Sequence, residues 1–293
     1  MHRLKTWHLF AICVLTWGTT WYAITYQIGQ VAPEVGVAFR FALAGATVLA
    51  MCVVRGLNLR FGLRDHALLA LQGGFLYGIS YVFVYHAERH IVSGLVAVGY
   101  SASPLVTGLG AHYLFGLRVT PRFVAGGLLG IAGVALMFWT EFERATGNRD
   151  TTLGVLFTVA AVLLSTVGSL TASRNREHGL PFWPALGYGM LYGAEVGAII
   201  AVAQGASFAV PAVVSWWLSL LYLALAGSVL TFACFLTLQQ RIGPGPTGTI
   251  GVMTPLLALI VSMAFEAFRP DALTLCGAGL AVAGNVLMLR RPG

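Results

Sequence analysis

Apolar residues run through the chain in ten long segments, and short polar stretches separate these segments. An α-helix needs about 20 apolar residues to cross the hydrocarbon core of a bilayer. The pattern therefore predicts an all-α membrane protein with ten transmembrane helices, numbered here in chain order. The predicted spans are 7–28, 34–54, 66–87, 91–115, 121–140, 152–172, 183–204, 215–238, 245–268 and 271–290. The first segment has a basic start, but it is too long for the core of a signal peptide and counts as helix 1.

The two halves of the chain share an internal repeat. Residues 104–137 align without a gap with residues 255–288, so that Pro104 pairs with Pro255 and Met137 with Met288. A polar stretch at 141–151 separates five helices from five, and because five is odd the second copy enters the membrane in the opposite sense. The sequence thus predicts two inverted five-helix repeats, residues 1–140 and 152–293, with a polar linker at 141–151. Such repeats are typical of transporters that open one site alternately to either side.

Charged residues are scarce and unevenly distributed. They make up 9% of the 293 residues, against roughly 25% in a soluble domain. Of the 17 Lys and Arg residues, twelve fall on one predicted side of the membrane, four on the other, and Arg40 within a span. The positive-inside rule places both termini in the cytoplasm and the chain in the cell (inner) membrane. The net charge of +7 is therefore a topology signal, and since no basic patch alternates with exposed aromatics, nucleic-acid binding is not predicted.

Short motifs in both halves resemble the EamA unit of the drug/metabolite transporter superfamily. They are Trp17-Gly18 in helix 1, Pro33 and Phe39-Arg40 in helix 2, Ser93-Gly94 and Ser103-Pro104 in helix 4, and Gly126, Gly130 and Gly133 in helix 5, with Gly243-Pro244, Thr254-Pro255, Gly277 and Gly284 in the second repeat. The aromatic-rich central helices resemble in particular the aromatic amino-acid exporters of the YddG type. The resemblance implies that helices 1, 3, 4, 6, 8 and 9 surround a substrate cavity, with helices 5 and 10 behind it.

Two departures from the family pattern narrow the function. Many EamA units have an acidic residue just after helix 4. The second repeat has Glu266 at this position, whereas the first has Phe115. Members that move quaternary ammonium cations typically have a Glu within helix 1, but residues 17–22 of this chain contain none. A cationic-drug antiporter is therefore disfavoured.

Helices 4 and 9 each run small and polar residues into a proline in mid-span. A proline removes a backbone hydrogen bond, and the freed carbonyl is tolerated in a membrane only where it is buried in protein or lines a cavity. Paired breaks in the two halves favour a binding site, although the same pattern is also typical of closely packed helices. The residues predicted to bind substrate here are Tyr100, Ser101 and Thr249, and those predicted to break the helices and gate the site are Gly94, Pro104, Gly245 and Pro255.

Aromatic residues near mid-membrane form the second part of the predicted site. Tyr77, Tyr81 and Tyr85 recur every four residues in helix 3, which places their hydroxyls along one face of a continuous α-helix. Such a face stacks on planar ligands and attracts ammonium groups, and it is equally typical of an aromatic core. The remaining residues predicted to bind substrate are Trp17 and Trp21 in helix 1, Ser165 in helix 6 and Ser228 in helix 8.

Two ionisable residues, Arg40 and Glu195, lie well inside the predicted spans. A charge at mid-membrane costs roughly 2.5–3.5 kcal/mol on insertion scales and needs a partner or an aqueous cavity. Glu195 is the carboxylate that could couple transport to protons, although a structural role is favoured. Arg40 could hold a substrate carboxylate or cap a neighbouring helix, and the structural interpretation is again favoured.

Glycine stripes in helices 5 and 10 predict a close helix contact. Gly126, Gly130 and Gly133 face one way in helix 5, and Gly277, Ala281 and Gly284 do so in helix 10. The two stripes can meet within one molecule, so a monomer is the predicted functional form.

No residue pattern indicates catalysis, a cofactor or a metal. His86 and His90 flank Glu88 without a third ligand nearby, and the four cysteines all fall within spans. The sequence therefore predicts a secondary transporter in the lipid bilayer that exports a small-molecule substrate, with aromatic or other neutral amino acids preferred. Alternatives are another organic solute or drug, a channel, and, least of all, a membrane enzyme.

Overall fold

The computed structural model describes residues 4–116, 119–144, 149–242 and 250–289, and within them the chain forms ten helices and no β-strand. The helices are α1 (Thr6–Thr25), α2 (Pro33–Val54), α3 (Leu63–Glu88), α4 (93–115), α5 (Pro121–Arg144), α6 (Arg149–Glu177), α7 (Phe182–Ala203), α8 (214–242), α9 (Ile250–Phe265) and α10 (Ala272–Leu289). Each predicted apolar segment overlaps one of them. The prediction of an all-α protein is therefore confirmed.

Six of these helices are long and apolar enough to cross a bilayer. They are Pro33–Val54, Leu63–Glu88, Ser93–Leu114, Asp150–Glu177, Phe182–Ala203 and Val214–Phe235. Shorter apolar helices occur at Pro121–Met137, Met253–Phe265 and Ala272–Met288. The described part of the chain is thus built largely from membrane-spanning helices, and the full count of ten spans stays a prediction.

Three of the helices contain turns that are not α-helical. Gly74–Ile79 in α3 and Tyr222–Leu230 in α8 are π-helical, and Tyr100–Ala102 in α4 is a 3₁₀ turn. Shifting 74–79 by the repeat period of 151 gives 225–230, which falls inside the second π segment. The two π turns therefore occupy equivalent places in the two sequence repeats. Short π turns within α-helices are frequent at functional sites.

The chain divides into two compact units that do not follow the repeat boundary. The first unit contains Met1–Thr25, Ala87–Val159 and Leu230–Gly293, and the second contains Tyr26–His86 and Ala160–Val229. Each unit therefore combines helices from both sequence repeats. The division of the sequence into two repeats describes the order of the chain, whereas the packing follows these units.

In the first unit, the glycine stripes of α5 and α10 meet backbone to backbone. A Cβ atom on Gly126 would lie 2.6 Å from the carbonyl oxygen of Gly284, and one on Gly133 would lie 2.5 Å from the carbonyl oxygen of Gly277. Side chains larger than hydrogen would push the helices apart, so these glycines allow the contact. The close helix contact that the glycine stripes predict is therefore formed between α5 and α10 within this chain.

In the second unit, α7 packs closely against both α2 and α3. A Cβ atom on Gly45 of α2 would lie 2.9 Å from the carbonyl oxygen of Gly187, and one on Gly73 of α3 would collide with the backbone of Gly189. Because small residues allow such approach without a hydrophobic driving force in lipid, they fix how these helices pack. This packing positions α2 and α3 for the site described next.

Candidate functional site

A buried arginine lies in the second unit. Arg40 of α2 is only 2% exposed, and it forms no ion pair with any described carboxylate. Its Nε donates to Ser228 Oγ of α8 at 3.4 Å, which is long for a hydrogen bond. Its buried Nη1 has no hydrogen-bond partner among the described residues. Among the described residues, no hydrogen bond joins the guanidinium of Arg40 to a backbone carbonyl at a helix end.

Two aromatic rings lie against the guanidinium of Arg40. The guanidinium carbon lies 4.7 Å from the ring centroid of Tyr81 and 5.1 Å from that of Phe41. Both distances are within the range of a cation–π attraction, which is worth about 2 kcal/mol or more when the pair is desolvated. The rings thus stabilise the positive charge without neutralising it.

The aromatic rings also contact one another. Phe41 lies 4.7 Å from Tyr81 and 5.4 Å from Tyr77, measured between ring centroids. The structure therefore brings together three of the predicted site residues, Tyr77, Tyr81 and Ser228, around two residues of α2. We call this set, Arg40, Phe41, Tyr77, Tyr81 and Ser228, the arginine cluster.

Both π turns contribute to the arginine cluster. Tyr77 lies in the π turn of α3 and Ser228 in that of α8. Ser228 Oγ donates to the carbonyl oxygen of Leu223, five residues earlier, at 2.9 Å. Because the hydroxyl proton is used in this way, the oxygen lone pairs of Ser228 are directed to Arg40. The π turn therefore fixes the acceptor that orients the guanidinium.

The first unit holds the other predicted aromatic residues. Trp21 of α1 lies 5.2 Å from Tyr100 of α4, and Trp17 lies 5.3 Å from both Phe232 and Phe235 of α8. All of these distances join ring centroids, and the pairs are tilted or edge-on. The predicted residues Trp21 and Tyr100 are thus in contact, whereas Trp17 belongs to the packing of α1 against α8.

The predicted helix breaks differ between α4 and α9. The 3₁₀ turn Tyr100–Ala102 directly precedes the segment that begins with Ser103 and Pro104, whereas α9 stays helical through Pro255. Ser101, within the 3₁₀ turn, is buried, and its hydroxyl has no hydrogen-bond partner among the described residues. Gly245 and Thr249 lie outside the described residues. Of the two proline sites, the described residues therefore show a departure from α-helical geometry beside Pro104, whereas the described residues around Pro255 are α-helical.

Gly94 serves a packing role at the start of α4. A Cβ atom at this position would lie 3.1 Å from the Cα atom of Leu259, so the glycine allows α4 to approach α9. Glu266 completes this contact, because its carboxylate accepts from the backbone N–H of Ser93 at 3.3 Å and from the Ser93 hydroxyl at 2.7 Å. Ser262 also donates to Glu266. Glu266, the acidic residue of the family pattern, thus stabilises the first turn of α4.

Two further predicted residues, Glu195 and Ser165, lie on α7 and α6. Glu195 is exposed on α7 and forms no hydrogen bond or ion pair with the described residues. The Ser165 hydroxyl donates to the carbonyl oxygen of Val162 within its own helix at 3.0 Å. No hydrogen bond or ion pair joins either side chain to the cluster in the part of the chain that the structure describes.

The histidines near the end of α3 form pairs rather than a metal site. His86 Nε2 lies 2.7 Å from a carboxylate oxygen of the buried Glu34, and His90 Nδ1 lies 3.4 Å from Asp150. Across the described ranges no group of three metal-binding side chains was found. The first pair joins α3 to α2, and the second joins the turn after α3 to α6.

Comparison with solved structures and known proteins agrees with this architecture. A solved crystal structure of a protein has a TM-score of 0.69 to this chain at 22% identity, and the match covers 97% of this chain and 96% of that one. The uncharacterised inner membrane transporter YedA of Escherichia coli is 26% identical over 261 residues, which is 86% of this chain and 80% of YedA. The protein PagO of Salmonella typhimurium is 24% identical over 266 residues, or 88% of this chain and 84% of PagO.

Over a shorter part of its length, this chain is also similar to a protein with a named substrate. The aromatic amino acid exporter YddG of Ancylobacter novellus is 30% identical over 166 residues, which is 55% of each chain. The model of the EamA-like transporter family matches twice, at residues 5–139 and 152–290, once in each sequence repeat. Together the two matches span nearly the whole chain, and the family consists of transporters rather than enzymes. With its repeated helical architecture and its membrane-spanning helices, this chain belongs to the EamA-like transporter family.

Proposed function

We propose that this protein is a secondary transporter that exports aromatic or other neutral amino acids across the cytoplasmic membrane by alternating access. The observation that carries the proposal is the set of aromatic rings in the arginine cluster. The rings of Phe41, Tyr77 and Tyr81 contact one another within the second unit. Aromatic faces stack on planar groups and tyrosine hydroxyls add direction, so such a cluster suits a small ligand with an aromatic side chain. The named substrate of the Ancylobacter novellus exporter supports the same class.

The proposed arrangement in the membrane is ten spans in two inverted repeats, with both termini in the cytoplasm. The six long apolar helices and the three shorter ones support it, since together they account for nine of the ten. A monomer suffices in this proposal, because the glycine stripes of α5 and α10 already cover one another within a single chain.

Efflux from proteoliposomes tests the function directly. Vesicles loaded with labelled phenylalanine are expected to show saturable efflux, and excess unlabelled phenylalanine outside should accelerate it by exchange. A channel would give flux that does not saturate and shows no exchange. A panel of amino acids and other organic solutes, loaded into the vesicles together with the labelled phenylalanine as competitors, distinguishes amino-acid export from export of another solute, because the transported class competes.

Orientation is tested by single cysteines on the two sides. We expect Ser207→Cys, in the exposed loop after α7, to react in intact cells with an impermeant thiol reagent, because the charge distribution places this loop outside. His178→Cys, in the exposed turn after α6, should react only after permeabilisation. Three native cysteines are buried and Cys276 is exposed, so the test uses a Cys276→Ser background. Labelling of His178→Cys in intact cells would show that the orientation is opposite to the one proposed here.

Glu195 is expected to be dispensable for coupling. We predict that Glu195→Gln leaves both net efflux and exchange almost unchanged, because the carboxylate is exposed and forms no hydrogen bond or ion pair with a described residue. The measurement is efflux with and without a pH gradient, in parallel with exchange at equal pH. Loss of the response to pH with intact exchange would instead identify Glu195 as the site of proton coupling.

A further inference from the structure

The charge of Arg40 is incompletely matched by the residues that the structure describes. An arginine guanidinium stays protonated under all physiological conditions and carries five N–H donors. Here the side chain is 2% exposed, forms no ion pair with the described carboxylates and makes one long hydrogen bond, to Ser228. A buried cation of this kind is costly unless an anion or water completes it. The guanidinium of Arg40 can therefore bind an additional anionic group.

The residues around Arg40 restrict how an anionic group can bind to its guanidinium. Tyr81 and Phe41 lie against the guanidinium, and Ser228 takes the Nε donor. The buried Nη1 is left with no acceptor among the described residues. A planar carboxylate matches the terminal nitrogens of a guanidinium through paired hydrogen bonds. An aromatic body attached to that carboxylate would then lie beside the rings of the cluster.

We propose that Arg40 binds the carboxylate of the transported molecule, so that the substrate class is small organic acids, including zwitterionic amino acids. This inference rests on the proposed function, and it names the group that the site recognises. An amine without a carboxylate would leave the guanidinium unmatched and add a second positive charge. Such molecules are therefore excluded. Because Arg40 is buried, a carboxylate reaches it only when neighbouring side chains move, and binding is thereby linked to a rearrangement of the second unit.

The test compares ligands that differ only in the charged group. In the efflux assay, 3-phenylpropionate, which lacks the amine, is expected to compete with phenylalanine, whereas phenethylamine and phenylalaninamide, which lack the carboxylate, are not. Arg40→Gln should weaken competition by the carboxylates by at least about tenfold, because it removes a buried charge-assisted pair. Arg40→Lys should retain part of it, since the charge stays and the paired geometry is lost.

Arg55→Gln is the matched control. Arg55 directly follows the same helix and also lies over an aromatic ring, 6.0 Å from the centroid of Trp183, but it is exposed. This variant should keep the competition profile of the native protein. A merely structural role for Arg40 predicts that Arg40→Gln lowers the affinity for all four compounds to the same extent, and that result would overturn the proposal.

A second measurement separates this inference from the proposed function. The thermal midpoint of the purified protein should rise with 3-phenylpropionate and not with phenylalaninamide, and Arg40→Gln should remove the difference. A carboxylate-dependent shift without any efflux would mean that the protein binds acids but does not export them. Efflux with equal recognition of acids and amides, in both assays, would retain the transporter and refute the role of Arg40.

Discussion

We expect Gly284→Ala to destabilise the protein more than any other substitution that adds a single methyl group to α10. The new Cβ atom would collide with the carbonyl oxygen of Gly126 and lie 2.5 Å from the backbone nitrogen of Gly130. These are backbone atoms, which cannot rotate away, so α5 and α10 would have to separate. Overpacking of this kind costs about 1–3 kcal/mol and occasionally more. The measurement is the thermal midpoint in mild detergent, read as loss of the monodisperse peak on size exclusion.

Gly279→Ala on the same helix provides the control. A Cβ atom at Gly279 would meet nothing within 4 Å, and alanine favours a helix over glycine by about 1 kcal/mol. We therefore expect an unchanged or slightly raised midpoint for this variant. Equal midpoints for the two variants would show that the contact between α5 and α10 contributes little to stability.

Tyr81→Ala should reduce aromatic amino-acid efflux by about tenfold or more, with the protein still inserted and folded. The change removes the ring that lies 4.7 Å from the guanidinium of Arg40 and that meets Phe41 edge-on at 74°. A desolvated cation–π pair is worth about 2 kcal/mol, and about 1.4 kcal/mol corresponds to a factor of ten. Tyr81→Phe should retain part of the flux, because the ring remains and only the hydroxyl is lost.

An exposed tyrosine controls for the loss of aromatic surface. Tyr113 in α4 is 82% exposed, and Tyr113→Ala should leave the efflux rate close to that of the native protein. The assay is initial efflux from proteoliposomes at equal protein density. Native flux in the Tyr81→Ala variant would mean that the helix 3 tyrosines are core residues and form no part of the site.

Features that depend on local composition could be predicted from the sequence. Runs of apolar residues located the helices that the structure describes, because a helix in a membrane must satisfy its own backbone and face lipid. The glycine stripe at Gly126 and Gly133 predicted the contact with α10, since glycine recurring on one helix face has few other uses in lipid. In both cases the signal lies within a single stretch of the chain.

The surroundings of Arg40 could not be predicted in this way. Its acceptor Ser228 is 188 residues away, so no local pattern connects them. The π turn at Gly74–Ile79 also left no signal, because one extra residue in a turn does not alter composition. The predicted single face of tyrosines assumed a continuous α-helix. In the structure, Tyr77 and Tyr85 are buried at 3% and 1% exposure, whereas Tyr81 is only partly buried.

The mixing of the two repeats within each compact unit bears on the ancestry of the chain. The α5 surface of the first repeat is covered by α10 of the second, and α2 is covered by α7. A half-length ancestor would have exposed both surfaces, and a second identical copy could cover them by placing like helices face to face across a two-fold axis. Because both copies stand in one chain, this mutual cover does not depend on protein concentration.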